Sequence, residues 1–196
     1  MKKRGRPLSF DRSVALTRAM EVFWAKGYEG AQLVDLTKAM GINPPSFYAA
    51  FESKQRLFCE SVALYVHTVG GRSVNALEQA GTAREGLRAM LLCNIDVACS
   101  NKAGGCLMVL GVVNNLPENM DAWTYLREER AKMLARIRSR IRRGVTEGDL
   151  PQTTQVNVLA SYFLGLTQTI SFQARDGASK AMLRKLIEPA MCALPA

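Results

Sequence analysis

Leu33-Val34-Asp35-Leu36-Thr37-Lys38-Ala39-Met40-Gly41-Ile42-Asn43-Pro44-Pro45-Ser46-Phe47-Tyr48-Ala49-Ala50-Phe51 is the stretch from which the rest of the chain is read. Leu33, Leu36 and Met40 recur at helical spacing, and Gly41 stops the helix they mark. Asn43-Pro44-Pro45-Ser46 begins a second short helix, because proline is tolerated in a first helical turn. Helix, tight turn on Gly41-Ile42-Asn43, and helix is the spacing of a helix-turn-helix, whose second helix has the dimensions to enter a major groove.

The same periodicity extends outward in both directions. Upstream, Ala15/Leu16, Ala19 and Val22/Phe23 form one apolar stripe, with Ser9 or Asp11 as its cap and Gly27 as its end. Downstream, Ser53 caps a longer helix carrying Leu57, Phe58, Ala63 and Leu64, predicted to end by Gly70-Gly71. Five more helices follow. Thr82 opens one with Leu87, Leu91, Ile95 and Ala98, and an apolar stretch runs from Cys106 to Val113 after Gly104-Gly105. From about Glu118 a long helix aligns Leu126, Arg130, Met133/Leu134, Ile137 and Ile141 and ends at Gly144 and Gly148. Gln155 to Gln173 and Ser179 to Met191 complete the set. No period-2 alternation or hairpin turn interrupts the pattern, so the fold class is all-α with about nine helices. Helices are short and tightly punctuated before residue 50, and longer and more apolar after it. The expected division is a basic arm at 1–8, a helix-turn-helix unit at 9–55 and a bundle at 56–196.

The 196 residues are 48% hydrophobic and 22% charged, a globular balance with enough chain to bury a core. No run approaches the roughly 18 apolar residues of a membrane span. The basic start Met1-Lys2-Lys3-Arg4-Gly5-Arg6 leads into no apolar stretch, so a secretory signal is not expected and a cytoplasmic location is. Five scattered cysteines without a CxxC pair suit neither a disulfide framework nor a zinc knuckle. With His67 the single histidine, a histidine-based metal site or triad is also not expected. No metal, cofactor or catalytic group is therefore assigned. The net charge of +9 favours a polyanionic partner, nucleic acid first.

Three strings give the reading a family. They are Gly27-Tyr28, then Gln32 to Ile42, then Ser46-Phe47-Tyr48-Ala49-Ala50-Phe51-Glu52-Ser53-Lys54-Gln55-Arg56-Leu57-Phe58. Together they resemble the N-terminal domain of the tetracycline-repressor (TetR) family, over roughly residues 9 to 58. Departures are Ala31-Gln32 where Thr-Ser or Thr-Thr often opens helix two, Pro44-Pro45 in place of a basic residue and glycine, and Ala50 where histidine is frequent. These changes bear on which bases are read. The resemblance implies a homodimeric transcriptional regulator, most often a repressor. It would bind double-stranded DNA at a palindromic operator and leave it when a small-molecule inducer binds. It implies that Asn43, Pro45, Ser46 and Ala49 face the groove, that Tyr48 and Lys54 grip phosphates, and that Gln32 reaches phosphate or base edge. Lys3, Arg4 and Arg6 read either as a minor-groove or backbone arm or as a solubilising tail. Phe23, Leu36, Phe47 and Phe51 are expected in the domain core.

For the bundle, the resemblance implies a ligand pocket and a four-helix dimer interface made by the last two helices of each copy. Leu159, Phe163, Leu166, Ile170, Met182, Leu186 and Met191 are expected at that seam or just beneath it. Tyr65, His67, Met90, Asn94, Cys106, Met108, Asn114, Trp123 and Phe172 are candidate pocket residues, adaptable or polar-tipped side chains on apolar helices. Cys106, at a predicted helix start, reads two ways. It is a thiol activated by the helix dipole, and so, as the resemblance allows, a sensor of electrophiles or oxidants, or it is a small buried hydrophobe. Eight basic residues between Arg127 and Arg143 read as a solvated face, or as a surface for an anionic ligand or further DNA. Two other functions stay open. One is a cysteine-based enzyme pairing Cys106 with His67; the other is a DNA binder without sequence preference.

Overall fold

The computed structural model describes residues 10–100, 104–111 and 113–195. Among them every regular element is helical. The predicted arm (Lys3, Arg4 and Arg6) and Ser9 lie outside the described residues. Asp11 caps α1 (Arg12–Gly30), its Oδ1 accepting from the N–H groups of Ser13 at 2.8 Å and Val14 at 3.2 Å. The helix breaks at Gly27, and a last turn brings Tyr28 back into the core. There follow α2 (Leu33–Met40), α3 (Pro44–Phe51) and α4 (Lys54–Tyr65), the last capped by the Ser53 hydroxyl.

Beyond Tyr65 the chain departs from the sequence reading. It widens into a π-helical turn at Val66–Gly70 and continues without a stop as α5 (Gly71–Gln79). Gly70 and Gly71 hold right-handed helical angles, with φ of −69° and −60°. A Cβ on Gly70 would stand 3.3 Å from the Tyr65 ring, so this glycine makes room for an aromatic neighbour and ends nothing. The helix cost of a glycine, about 1 kcal/mol, is overridden by burial on either side, with Tyr65, Ser73 and Leu77 all buried.

Thr82 opens α6 (Ala83–Ala98) with a reciprocal pair, its hydroxyl accepting from Glu85 N–H and Glu85 accepting from Thr82 N–H. The apolar stretch after Cys106 is helical only over the single turn α7 (Leu107–Leu110), because the chain leaves helical geometry at Gly111. A long α8 (Met120–Glu147) passes straight through Gly144 and ends at Gly148. Next comes α9 (Val156–Arg175), and the predicted final helix divides into α10 (Lys180–Arg184) and α11 (Ile187–Cys192).

Two apolar cores result. The first joins Phe23, Tyr28, Leu36, Phe47, Phe51, Phe58 and Tyr65 to Val97, Leu107 and Leu126, so it crosses residue 55 and binds α1–α4 to the start of α8. Its rings meet edge to face, Phe23 with Phe58 at 5.1 Å and Tyr28 with Phe58 at 5.0 Å between centroids. Each such side chain removed from water contributes about 1.5–3 kcal/mol. The second core gathers Leu87, Met90, Ile95, Ile137, Ile141, Phe163 and Ile170 between α6, α8 and α9, closed by Leu183, Ile187 and Met191.

Candidate functional site

Two places carry chemistry: the α2–α3 corner and a cavity in the bundle. At the corner, Gly41 takes a left-handed conformation (φ 70°, ψ 32°), and its N–H closes on the carbonyls of α2's last turn. Asn43 then caps α3, its Oδ1 accepting from Ser46 N–H at 2.9 Å. That bond occupies the amide oxygen and leaves the Nδ2 hydrogens to donate outward. Gln32 N–H donates to the Asp35 carboxylate at 3.2 Å, the half of a capping box that the third helical residue supplies. Asp35 also pairs with Lys26 at 2.8 Å, and these two partners hold its carboxyl below the usual range.

Leu36, Phe47 and Phe51 are fully buried beneath the corner. Outward stand Gln32, Lys38, Asn43, Pro45, Tyr48 and Ala49, all exposed, with Ser46 half-buried among them. Tyr48 is 54% exposed and its ring is braced edge-on by Phe47 at 5.2 Å. Val34, 70% exposed on α2, belongs to the same surface and was not among the predicted contacts. Lys54 sits differently from the rest. Its ammonium lies 4.4 Å above the Tyr28 ring, partly desolvated, and burial lowers its pKa.

In the bundle a cavity of about 130 Å³ lies between the α4–α5 rod, α6, the 106–109 segment, α8 and α9. Of the predicted pocket residues, Tyr65, Asn94, Cys106 and Met108 stand in its wall. His67 is exposed on the π-helical turn, Met90 is sealed in the second core, and Asn114 and Phe172 face solvent. Trp123 instead lies under the guanidinium of Arg127, 4.6 Å from its ring centroid. The sequence missed Val66 and Gly70 on the π-turn and Ser73 just beyond it on α5, because the π-turn follows no apolar period and shifts the register of what comes after. It also left Arg130, Lys132 and Arg136 out of the pocket, their charges reading as a solvated face or as a surface for an anionic ligand or further DNA.

Cys106 differs from its predicted chemistry. One helical turn supplies little dipole, and burial pushes the thiol pKa up despite the Tyr65 hydroxyl, which donates to Sγ at 3.1 Å, and nearby Arg130. The thiol rests protonated at neutral pH.

The segment that carries Cys106 is tied to both units. Cys106 N–H donates to Ser171 Oγ on α9 at 2.8 Å, and Gly105 O accepts from the Trp24 indole on α1 at 3.0 Å. Arg175, at the end of α9, donates to the carbonyls of Trp24 at 2.7 Å, Ala25 at 2.9 Å and Gly104 at 3.4 Å. Glu29 accepts from Asn114 N–H and Asn119 Nδ2, both at 3.1 Å.

The family described as "Bacterial regulatory proteins, tetR family" matches residues 15–60. The HTH-type transcriptional repressor ComR of Escherichia coli (strain K12) is 30% identical over 95% of this chain and 89% of its own. The chain belongs to the TetR family. The TetR family regulator CifR, solved as a cysteine mutant complexed with 26-bp double-strand operator DNA, is 40% identical. The match covers 97% of this chain and 100% of that one, with a TM-score of 0.91. A TetR regulator from Agrobacterium tumefaciens shares the fold, with a TM-score of 0.80 at 21% identity over 94% and 97% of the two chains.

The predicted dimer residues fall in two layers of this TetR chain. Phe163, Ile170 and Met191 are buried inside the protomer, while Leu159, Leu166 and Leu186 are half-buried. Met182 is 60% exposed. On α9 the outward apolar side chains are Val158, Tyr162 and Phe172, with Gly165 between them and nothing within 4 Å of where its Cβ would be. Among the described residues no group of His, Cys, Asp and Glu could hold a metal ion, and no helix is long and apolar enough to cross a membrane.

Proposed function

We propose that this protein is a homodimeric repressor that holds a palindromic operator through α3 and lets it go when a small molecule fills the bundle cavity. The observation that carries the reading is the α2–α3 corner. Its apolar side chains are wholly buried, while Asn43, Ser46, Tyr48 and Ala49 point outward from a helix capped and rigid at its groove-facing end. Asn43 Nδ2 and the Ser46 hydroxyl suit base edges or phosphate, the Ala49 methyl suits thymine, and Tyr48 suits phosphate. Pro45 fixes the approach of the helix start. Lys54, lodged over Tyr28, presents its charge near the backbone from a fixed position. The N-terminal unit is then the reader and the bundle the sensor, with α4 common to both.

Pairing of two copies uses the outer face of α9. Val158, Tyr162, Gly165, Thr169 and Phe172 recur at spacings of four and three, the period of a helix–helix seam, and Gly165 admits close approach. Met182 on α10 adds to the same patch. Two recognition helices about one duplex turn apart then read a palindrome.

The 104–111 segment is the connection from cavity to reader, since it is part of the cavity wall and bonds to Trp24 on α1. An inducer acts only by preferring the state in which that segment has moved. A non-covalent inducer suits the protonated Cys106 thiol better than an electrophile does. The thiol/imidazole enzyme finds no support, because the polar neighbour of Cys106 is Tyr65 and His67 faces solvent.

The test is an affinity selection with purified protein on sheared DNA of its own genome, in excess competitor. Enrichment of one palindrome in a few intergenic regions is the expected result. Uniform recovery, with a steep salt dependence, would leave a binder without sequence preference and refute the repressor reading.

A further inference from the structure

The polar groups of the cavity wall are unevenly satisfied. Three hydroxyls donate within the fold, Tyr65 to Cys106 Sγ, Ser73 to Gly70 O at 2.9 Å and Thr167 to Leu164 O at 2.7 Å, while Ser171 Oγ accepts from Cys106 N–H. Two donors have capacity left. Asn94 Nδ2 on α6 is buried without an acceptor among the described residues. Arg130 on α8 spends Nε on Met108 O at 2.6 Å and Nη2 on Val109 O at 3.4 Å, out of five N–H groups in all.

The charges are uneven in the same sense. Lys132 is closed on Glu129 and Arg136 on Glu78, but Arg130 has no carboxylate within ion-pair distance among the described residues. It is half-buried, and desolvation lowers its pKa, so its charge is the one in the wall that is short of an anion. Glu129 also stands in the wall, its carboxylate closed on Lys132, and the remainder is largely aliphatic or thioether. The volume of about 130 Å³ is near that of the roughly 150 Å³ cavity that takes benzene in an engineered protein.

We propose that the cavity binds a small monocarboxylate with an apolar body, its carboxylate held by Arg130 and Asn94 and its body against Val97, Met108, Met133 and Leu164. This rests on the cavity being the inducer site and names the class of inducer. Arg130 also holds the carbonyls of Met108 and Val109, so a carboxylate that draws its guanidinium inward pulls on the segment that reaches α1. Benzoate and hexanoate are the size the cavity accepts.

Isothermal titration of the full chain with sodium benzoate and sodium hexanoate, beside benzamide and hexanamide, tests the class. Replacing a charge-assisted pair by a neutral contact costs about tenfold to a hundredfold in affinity. Each carboxylate is therefore expected to bind at least about tenfold tighter than its amide, and Arg130→Gln to erase that advantage. Asn94→Asp, nearly isosteric, places a like charge at the other contact and should abolish carboxylate binding in a protein whose far-UV circular dichroism still matches wild type, a control should Arg130→Gln disturb the 108–109 backbone. Amides that bind as tightly as carboxylates, carboxylates that do not bind, or an Arg130→Gln protein equal to wild type, would each overturn the proposal. Retention of selected operator DNA separates the two layers. Release by benzamide but not benzoate overturns the carboxylate class and keeps the cavity as inducer site. Benzoate binding that never changes DNA retention supports the class and removes the inducer reading.

Discussion

Gly105→Ala tests whether the strap between cavity and reader is held as tightly as its geometry implies. Gly105 has φ +71°, and an added Cβ would stand 2.3 Å from Leu110 Cδ1, 2.7 Å from Ser171 O and 2.9 Å from Ser171 Oγ. Two costs add. A side chain in the left-handed region costs roughly 1–2 kcal/mol, and crowding in a filled interior costs about 1–3 kcal/mol more. Gly148→Ala separates them, because Gly148 also has a left-handed φ (+85°) but nothing lies within 4 Å of its Cβ position. It should carry the backbone cost alone. Urea unfolding of both variants at one protomer concentration reads the difference, with heat unfolding falling by about 2–4 °C per kcal/mol at this chain length. Gly105→Ala is expected to lose about 1–3 kcal/mol more than Gly148→Ala and also to weaken operator retention. The displaced Gly105 carbonyl is the acceptor for the Trp24 indole. Equal losses in the two variants would refute the close contact, and with it the rigid strap.

Three further outcomes are expected. Tyr48→Phe should weaken operator binding by about fivefold, the worth of one hydrogen bond near 1 kcal/mol, with an unchanged unfolding midpoint; equal retention in a filter-binding assay would remove Tyr48 from the phosphate contacts. Tyr162→Asp should convert the dimer to monomer in light scattering, because a carboxylate would be buried at the α9 face; a persistent dimer would place the interface elsewhere. Burial holds the Cys106 thiol above its ordinary pKa, so its stabilising share is whole below the unfolded thiol pKa, about 8.5, and is lost as pH rises through the folded value. Iodoacetamide should accordingly label exposed Cys99 and Cys192 before Cys106 at pH 7, with Cys106 labelling rising only in the alkaline range; prompt Cys106 labelling at pH 7 would restore the activated thiol.

The helices and the corner were legible because their signals are local. Asp11 (of the pair Ser9 or Asp11), Ser53 and Thr82 cap the helices they were expected to open, and Gly41 makes the turn between α2 and α3, where Asn43 adds a cap that was not foreseen. Gly70-Gly71 was misread because a glycine pair means a stop only where no neighbour needs the space, and the Tyr65 ring needs it. The cavity was half legible for a related reason. Tyr65, Asn94, Cys106 and Met108 carry recognisable chemistry, but the places of Arg130 and of Arg140, whose side chain is 1% exposed, depend on which carbonyls a folded neighbour offers. Arg130 fell on the apolar stripe and both belonged to a basic run that read as a solvated face or as an anionic-ligand or DNA surface, so the sequence offered no choice between these. The outer face of α9 escaped notice because that helix is apolar on more than one side, and only burial of Phe163 and Ile170 shows which side is spent.

One rod of backbone, α4 through the π-turn into α5, starts beneath the recognition helix and finishes as cavity wall. Heritable change therefore cannot treat the two tasks as independent traits. If the cavity takes the effector as proposed, a substitution at Val66 or Gly70 that admits a new one would also shift the footing of Leu57 and Phe58, on the same rod. The opposite wall is freer: Met133 and Leu164 line the cavity from α8 and α9, outside the α2–α3 corner. Descendants of this protein that answer to different compounds at the same operator should differ first on α8 and α9, and keep the rod as it was inherited.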